Sequence, residues 1–235
     1  MALTECVAVE KMLMRFKMKL LNVFSGTGSV SKPWREAGHE VIDVDIDGTF
    51  NPDIKQNILE WDYTTLPWIP DVIWSSPPCT EYSIAKTRGV RNLTLADSLV
   101  RKTLEIIKYF ESKNPNLIWF LENGQTTLLW KREVVKTLTD FVDLDYCQYG
   151  TLYRKRTRIA HSPNLHWQPR PKCNPTTCSA CVNGVHLKSA QKGNDRNKDK
   201  QFDRCTVHEL HALPKQLTEE ILHLCENTLT LIDCS

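Results

Sequence analysis

No stretch of this chain is apolar for long enough to cross a membrane, and none has the layout of a secretory signal. From Met1 to Leu21 the residues Glu10, Lys11, Arg15, Lys17 and Lys19 interrupt every candidate run. A large net charge is missing too. Thirty Lys and Arg against 28 Asp and Glu leave +2, so affinity for a polyanion has to come from local basic patches. There is no internal repeat and no low-complexity tract. Nine cysteines without an export signal point to a reducing compartment, with thiols free or metal-bound. The chain is therefore expected to be intracellular, without membrane contact, and is taken as a monomer. At 235 residues and 41% hydrophobic content it can build one full-sized core with a small appendage. Met12, Met14 and Met18 are alternative starts, so the first 17 residues are expected to be dispensable.

What is present centres on Asp71-Val72-Ile73-Trp74-Ser75-Ser76-Pro77-Pro78-Cys79. The apolar run reads as a buried strand, which two prolines end because they lack the N–H a ladder needs. Cys79 thus falls just beyond a strand's carboxyl end, where open α/β sheets bind ligands. Enzymes that methylate an exocyclic amine carry Asp or Asn before such a Pro-Pro pair and an aromatic after it. Here Ser76 and Cys79 hold those places. A thiol suits attack on an electron-poor ring carbon. On its own, Pro-Pro-Cys fits a nucleophile or a packed cysteine equally well.

Lys19 to Phe24 is strand-like, and Ser25-Gly26-Thr27-Gly28-Ser29 leads from it into a helical pattern through Ala37. Two glycines there let the backbone pass close to a ligand, although Gly-x-Gly alone is a weak signal. A second strand, Glu40 to Asp47, ends in acids, of which Asp45 is placed to accept from a ribose or to serve a solvated turn. After Cys79 the basic loop Lys86-Thr87-Arg88-Gly89-Val90-Arg91 reads either as a phosphate-contacting flap or as solvated surface. A helix is expected from Asn92 to about Ser112, and a strand from Asn116 to Leu121 that ends in Glu122-Asn123-Gly124-Gln125. A helix over Trp130 to Phe141 and closing strands over Leu144 to Tyr149 and Thr157 to His161 are predicted. Arg154-Lys155-Arg156-Thr157-Arg158 puts four bases in five residues.

Between Ser162 and Arg204 apolar periodicity disappears, and Lys188 to Arg204 reads as a flexible, mildly positive loop. The same region holds Cys173, Cys178, Cys181 and His186, three thiols and an imidazole within fourteen residues, enough to close one tetrahedral zinc site. Unrelated free cysteines are the alternative. Order returns at Thr206, with a last amphipathic helix over Leu217 to Cys225.

Taken together, Phe24-Ser25-Gly26-Thr27-Gly28, Pro78-Cys79, Glu122-Asn123-Gly124, Arg156-Thr157-Arg158 and the Arg204 to Pro214 segment resemble, in order, the motifs of cytosine-5 DNA methyltransferases. The resemblance covers about Lys19 to Cys225. It departs at Thr80 in place of glutamine, at Gly124 in place of valine, and at Asn57-Ile58 where the family has Asp-Ile near the adenine. It implies an α/β, Rossmann-like class I methyltransferase sheet with helices on both faces, plus a small irregular insertion. The implied organisation is an extension at 1–18, a catalytic domain at 19–161, a short target-recognition region at 162–204 and a closing segment at 205–235. S-adenosylmethionine is the implied donor, held by Phe24, Ser25, Gly26, Thr27, Gly28, Asp45, Asn57, Ile58 and Pro77. Cys79 is implied as the nucleophile toward carbon 6, Glu122 as the group that keeps a proton on ring nitrogen 3, and Arg158, with Arg156 beside it in the same catalytic motif, as the cation that binds the carbonyl oxygen at position 2. The substrate implied is DNA. An RNA cytosine methyltransferase on the same scaffold and a silent nucleic-acid-binding protein are the alternatives.

Overall fold

The computed structural model describes residues 17–163, 165–190 and 203–233. The N-terminal stretch expected to be dispensable and most of the expected Lys188 to Arg204 loop therefore lie outside the described residues. Seven strands share one sheet: β1 (Lys19–Val23), β2 (Glu40–Asp45), β3 (Ile54–Lys55), β4 (Val72–Ser75), β5 (Ile118–Gly124), β6 (Phe141–Asp145) and β7 (Arg156–His161). Their order is β3-β2-β1-β4-β5-β7-β6. Neighbours from β3 to β5 are parallel, and β7 runs antiparallel between β5 and β6. This is the Rossmann-like methyltransferase sheet expected from the sequence.

The central strands are largely apolar because both faces are covered. Side chains alternate between faces, so Leu20, Val72, Trp74, Ile118 and Phe120 join one core and Leu21, Ile73, Trp119 and Leu121 the other. Helix α1 (Ser31–Glu36) and the C-terminal helix cover the first face. Helix α2 (Leu93–Glu111) covers the second, burying Ala96, Val100, Ile106, Ile107 and Phe110. Asn92 caps α2 by accepting from the Leu95 N–H at 3.0 Å, which satisfies a backbone donor the helix leaves open. Short α3 (Val207–His211) begins at Thr206 with a reciprocal Thr206–Glu209 capping box, and α4 (Lys215–Asp233) follows.

Helix α4 is longer than the expected Leu217 to Cys225, and it lays Leu217, Ile221, Leu222, Cys225 and Leu229 into the first core. Ile221→Ala would leave a cavity there. The expected cost is about 2–5 kcal/mol, read as a lower thermal midpoint with unchanged secondary structure.

Two elements differ from expectation. Residues 130–141 form no α-helix; 3-10 turns span Leu128–Lys131 and Glu133–Val135, and the chain then extends into β6. Val134, Val135, Thr137 and Thr139 are stiff at the first side-chain torsion, which disfavours a helix and suits extended chain. The strand expected over Leu144 to Tyr149 starts instead at Phe141, while Tyr146–Tyr149 coil into a 3-10 turn that Gly150 closes at φ 89°.

Candidate active site

The strand order reverses between β1 and β4, so the loops leaving those two strands flank one crevice. The loop after β1 runs Phe24 to Gly28. Phe24 (φ 58°), Gly26 (φ 48°) and Gly28 (φ 66°) all take left-handed backbone, and Phe24 is strained there because it carries a Cβ. Gly26 donates its N–H to Asp45 Oδ2 at 2.8 Å, and Ser25 donates to the Val44 carbonyl at 3.2 Å. The loop is thereby tied to the end of β2. A Cβ at Gly28 would meet nothing within 4 Å, and the Thr27 hydroxyl is buried without a partner among the described residues. An open glycine face beside an orphaned buried hydroxyl fits a polar ligand such as S-adenosylmethionine.

Asp45 also accepts the Asp47 N–H at 2.8 Å, yet a carboxylate keeps further acceptor capacity for a ribose. Asn57 is less available. Its carbonyl oxygen accepts the Leu59 N–H at 3.1 Å and its amide donates to Glu60 at 3.2 Å, so the side chain shapes its own turn. Ile58 is buried in the second core.

The loop after β4 carries Pro77, Pro78 and Cys79. The adjoining strand β5 ends in Glu122, buried at 7% exposure, and Asn123, whose amide donates to the Pro77 carbonyl at 2.9 Å. That bond locks the nucleophile loop to the strand that delivers the carboxylate. Behind Cys79, buried Tyr82 donates to Asp97 at 2.9 Å, and Arg132 grips the same carboxylate at 2.6 Å. Arg132 and Tyr82 together hold Asp97 below the ordinary carboxylate range. Cys79 itself is exposed. The protein mass around it nevertheless pushes its thiol above the ordinary value, while Lys155 pulls it down and Glu122 pushes it up.

Lys155 was not singled out by the sequence, although it lies inside the basic cluster. Its Nζ stands 4.0 Å from Glu122 Oε1, 3.1 Å from the Leu210 carbonyl oxygen, and 4.9 Å from the centre of the Tyr146 ring. Tyr146 is wholly buried, and burial followed by the charge of Glu122 drives its phenol well above the ordinary value. Thiol, carboxylate and ammonium act on one another at this corner.

The two arginines of the expected catalytic set are placed elsewhere. Cross-strand register sets Glu122 opposite Ile159 but Arg158 opposite Asn123, and directly opposed residues share a face. Arg158 therefore points away from the face of Glu122. Its Nε and terminal nitrogen hold Asp143 at 2.7 and 2.9 Å, and its guanidinium lies 4.3 Å from the Phe141 ring centre. Gln125 and Lys172 reach the same Asp143. Arg156, two residues earlier on that face, is exposed.

The basic loop after Cys79 is pinned rather than free. Arg91 donates to the carbonyls of Glu81, Ser83 and Lys86, each at 2.8 Å, and Lys86 pairs with Glu81 at 2.6 Å. Gly89 (φ 74°) turns the tip, leaving Val90 at 94% exposure beside exposed Arg88. A cleft of about 920 Å³ lies between α1, α4 and Trp167 and is lined by none of these residues.

The expected zinc set is altered in one member. The ligand atoms of Cys147, Cys173, Cys178 and His186 converge within 4.8 Å of one another, and Cys181 lies outside that group. Cys147 comes from the turn after β6, far from the other three in sequence, so spacing alone did not reveal it.

No family model matches the sequence. A probable DNA (cytosine-5)-methyltransferase of Frog virus 3 (isolate Goorha) is 32% identical over an alignment of 179 residues that covers 69% of this chain and 75% of that protein. Among solved structures, the Dnmt2 methyltransferase of S. pombe covers 65% of this chain at 14% identity with a TM-score of 0.40, and the chain spans about half (51%) of its length. With 32% identity to the viral relative across three quarters of its length, the chain belongs to the cytosine-5 methyltransferase family.

Proposed function

We propose that the protein methylates carbon 5 of cytosine in DNA, with S-adenosylmethionine as donor and Cys79 as a transient covalent nucleophile. The carrying observation is the Asn123–Pro77 bond, which fixes the Cys79 loop against the strand end that presents Glu122. The viral relative, a probable DNA (cytosine-5)-methyltransferase, supports DNA as the substrate. Phe24 to Gly28 and Asp45 would hold the donor, which supplies an electrophilic methyl group when bound.

Carbon 5 of cytosine is too weak a nucleophile to take that methyl unaided. The Cys79 thiolate adds to carbon 6, forming an S–C6 bond and moving the ring π pair toward carbon 5. Glu122 keeps a proton on ring nitrogen 3, so the ring can accept the displaced density. Lys155, rather than Arg158, is the cation within reach of thiol and carboxylate, and it favours the thiolate. Once carbon 5 carries the methyl group, its proton leaves to a base and the S–C6 bond breaks, releasing the thiolate. In a duplex the target carbon is shielded by stacking, so the base has to be flipped outward. Val90 and Arg88 at the loop tip give that step an apolar wedge and a phosphate contact.

Incubation with methyl-labelled S-adenosylmethionine and matched DNA and RNA should place label on carbon 5 of cytosine in DNA. Label in RNA alone would transfer the reading to RNA, and label in neither, with binding retained, would make the protein a silent binder. Only about 45 residues separate Arg158 from Arg204, room for few base-edge contacts of roughly 1–3 kcal/mol each. The recognised site is therefore expected to be short, roughly two to four base pairs. Bisulfite sequencing of DNA treated with the enzyme reads it directly, and a unique six-base site would contradict it.

A further inference from the structure

We infer that Cys147, Cys173, Cys178 and His186 bind one structural zinc ion that staples the insertion after β7 to the end of β6. The inference concerns metal binding and stands whichever nucleic acid the protein modifies.

The geometry is that of a closed tetrahedral site. Zinc with sulfur at about 2.3 Å and nitrogen at about 2.0–2.1 Å sets its ligand atoms roughly 3.5–3.8 Å apart. Here Cys173 Sγ lies 3.5 Å and Cys178 Sγ 3.9 Å from His186 Nε2, and all four ligand atoms fall within 4.8 Å of one another. Three thiolates and an imidazole are the donor set zinc takes in structural sites, and they leave no position for water or substrate.

The surroundings are built to support such a set. The Gln148 amide lies 3.8 Å from Cys147 Sγ and 3.7 Å from Cys178 Sγ, placed to donate to both sulfurs. Donors of this kind steady metal-bound thiolates. Asp145 accepts the Cys173 N–H at 2.9 Å while holding Arg154 with both oxygens at 2.9 Å. That guanidinium interacts electrostatically with Cys173 and Cys147, and offsets the surplus negative charge of three thiolates on a divalent ion.

Local chain chemistry delivers each ligand. Asn174 accepts backbone donors from Thr176 and Cys178, which folds the turn between the first two insertion cysteines. Cys181–Val182 and Val185–His186 pair as a hairpin across Asn183 (φ 53°) and Gly184 (φ 75°), the Asn-Gly pair that a tight primed turn requires. Cys181 stands opposite His186 in that hairpin, and its thiol neighbours that of Cys178 without joining the four converging ligand atoms. Cys147 is the ligand from the sheet, and its neighbour Tyr146 lies beneath Lys155 and beside Glu122. The ion therefore anchors the insertion to the same turn that backs the catalytic corner.

Metal analysis of the full chain, purified without chelator, should find about one zinc per chain. Cys147→Ser and Cys178→Ser should each lose it, whereas Cys181→Ser should keep it. Cobalt reloaded into the wild type should show the intense visible bands of tetrahedral thiolate coordination. Zinc lost from Cys181→Ser but kept by Cys147→Ser would overturn the assignment. So would a zinc-free wild type whose thiols titrate freely, or a Cys147–Cys173 disulfide in the purified protein. If Cys147→Ser fails to fold, the Cys181→Ser result decides alone.

Discussion

Cys79→Ser is expected to lower methyl transfer by at least about 10³-fold while nucleic-acid binding stays near the wild-type level. The alcohol is the poorer nucleophile because its conjugate base is almost unpopulated at neutral pH, whereas a thiol supplies some thiolate even when its pKa is raised. The fold has no stake in the change. Cys79 is exposed and outside both cores, and the loop is held by the Asn123 bond to Pro77 and by the clamp on Tyr82. A filter-binding curve that overlays the wild type, paired with a flat transfer time course, is the expected result. Transfer at the wild-type rate would rule out covalent activation by this residue.

Lys155→Met is expected to reduce transfer by roughly 10²-fold, the loss typical of removing one preorganised electrostatic contact. It should also move the alkylation profile of Cys79. Lys155 lowers the thiol pKa and Glu122 raises it, so the pH midpoint for reaction with iodoacetamide should rise in Lys155→Met and fall in Glu122→Gln. A purely structural lysine would leave that midpoint where it is. Arg158→Ala should behave differently, because it removes a bidentate pair with Asp143 and a ring contact rather than a group at the base. Its main effect should be a stability loss of roughly 1–3 kcal/mol. Arg158 is the first cause holding the Asp143 carboxyl below its ordinary 3.8. The stabilisation from that depressed pKa is complete above the ordinary value and disappears as pH falls through the lower folded value. The wild type should therefore lose more stability than Arg158→Ala as pH drops below about 4.

The sheet's first half and the nucleophile loop were legible because each strand is an apolar run that stops at glycine, proline or an acid. Val72 to Ser75 before Pro77, and Ile118 to Leu121 before Glu122, follow that grammar. The face on which Arg158 lies was not legible. A period-two strand assigns faces only relative to its partner, and β7's partners, β5 and β6, are fixed by pairing rather than by local sequence. Residues 130–141 misled for another reason: their apolar spacing suits a helix while their β-branched side chains and the demands of β6 do not. Cys147 escaped because its partners lie at least 26 positions away, across the whole of β7. The hairpin at Asn183-Gly184 was missed, although that pair is a hairpin signal, because the region lacks apolar periodicity.

The most direct test of the account is a duplex carrying 5-fluorocytosine at a site the enzyme methylates, incubated with S-adenosylmethionine. Fluorine at carbon 5 cannot leave as the proton does, so the S–C6 bond persists and enzyme and DNA should migrate as one denaturant-stable species. Peptide mapping should find the nucleotide on Cys79, with no adduct in Cys79→Ser. An adduct on any other cysteine, or methyl transfer to ordinary DNA without any adduct on the fluorinated one, would contradict the assignment of Cys79 as the nucleophile.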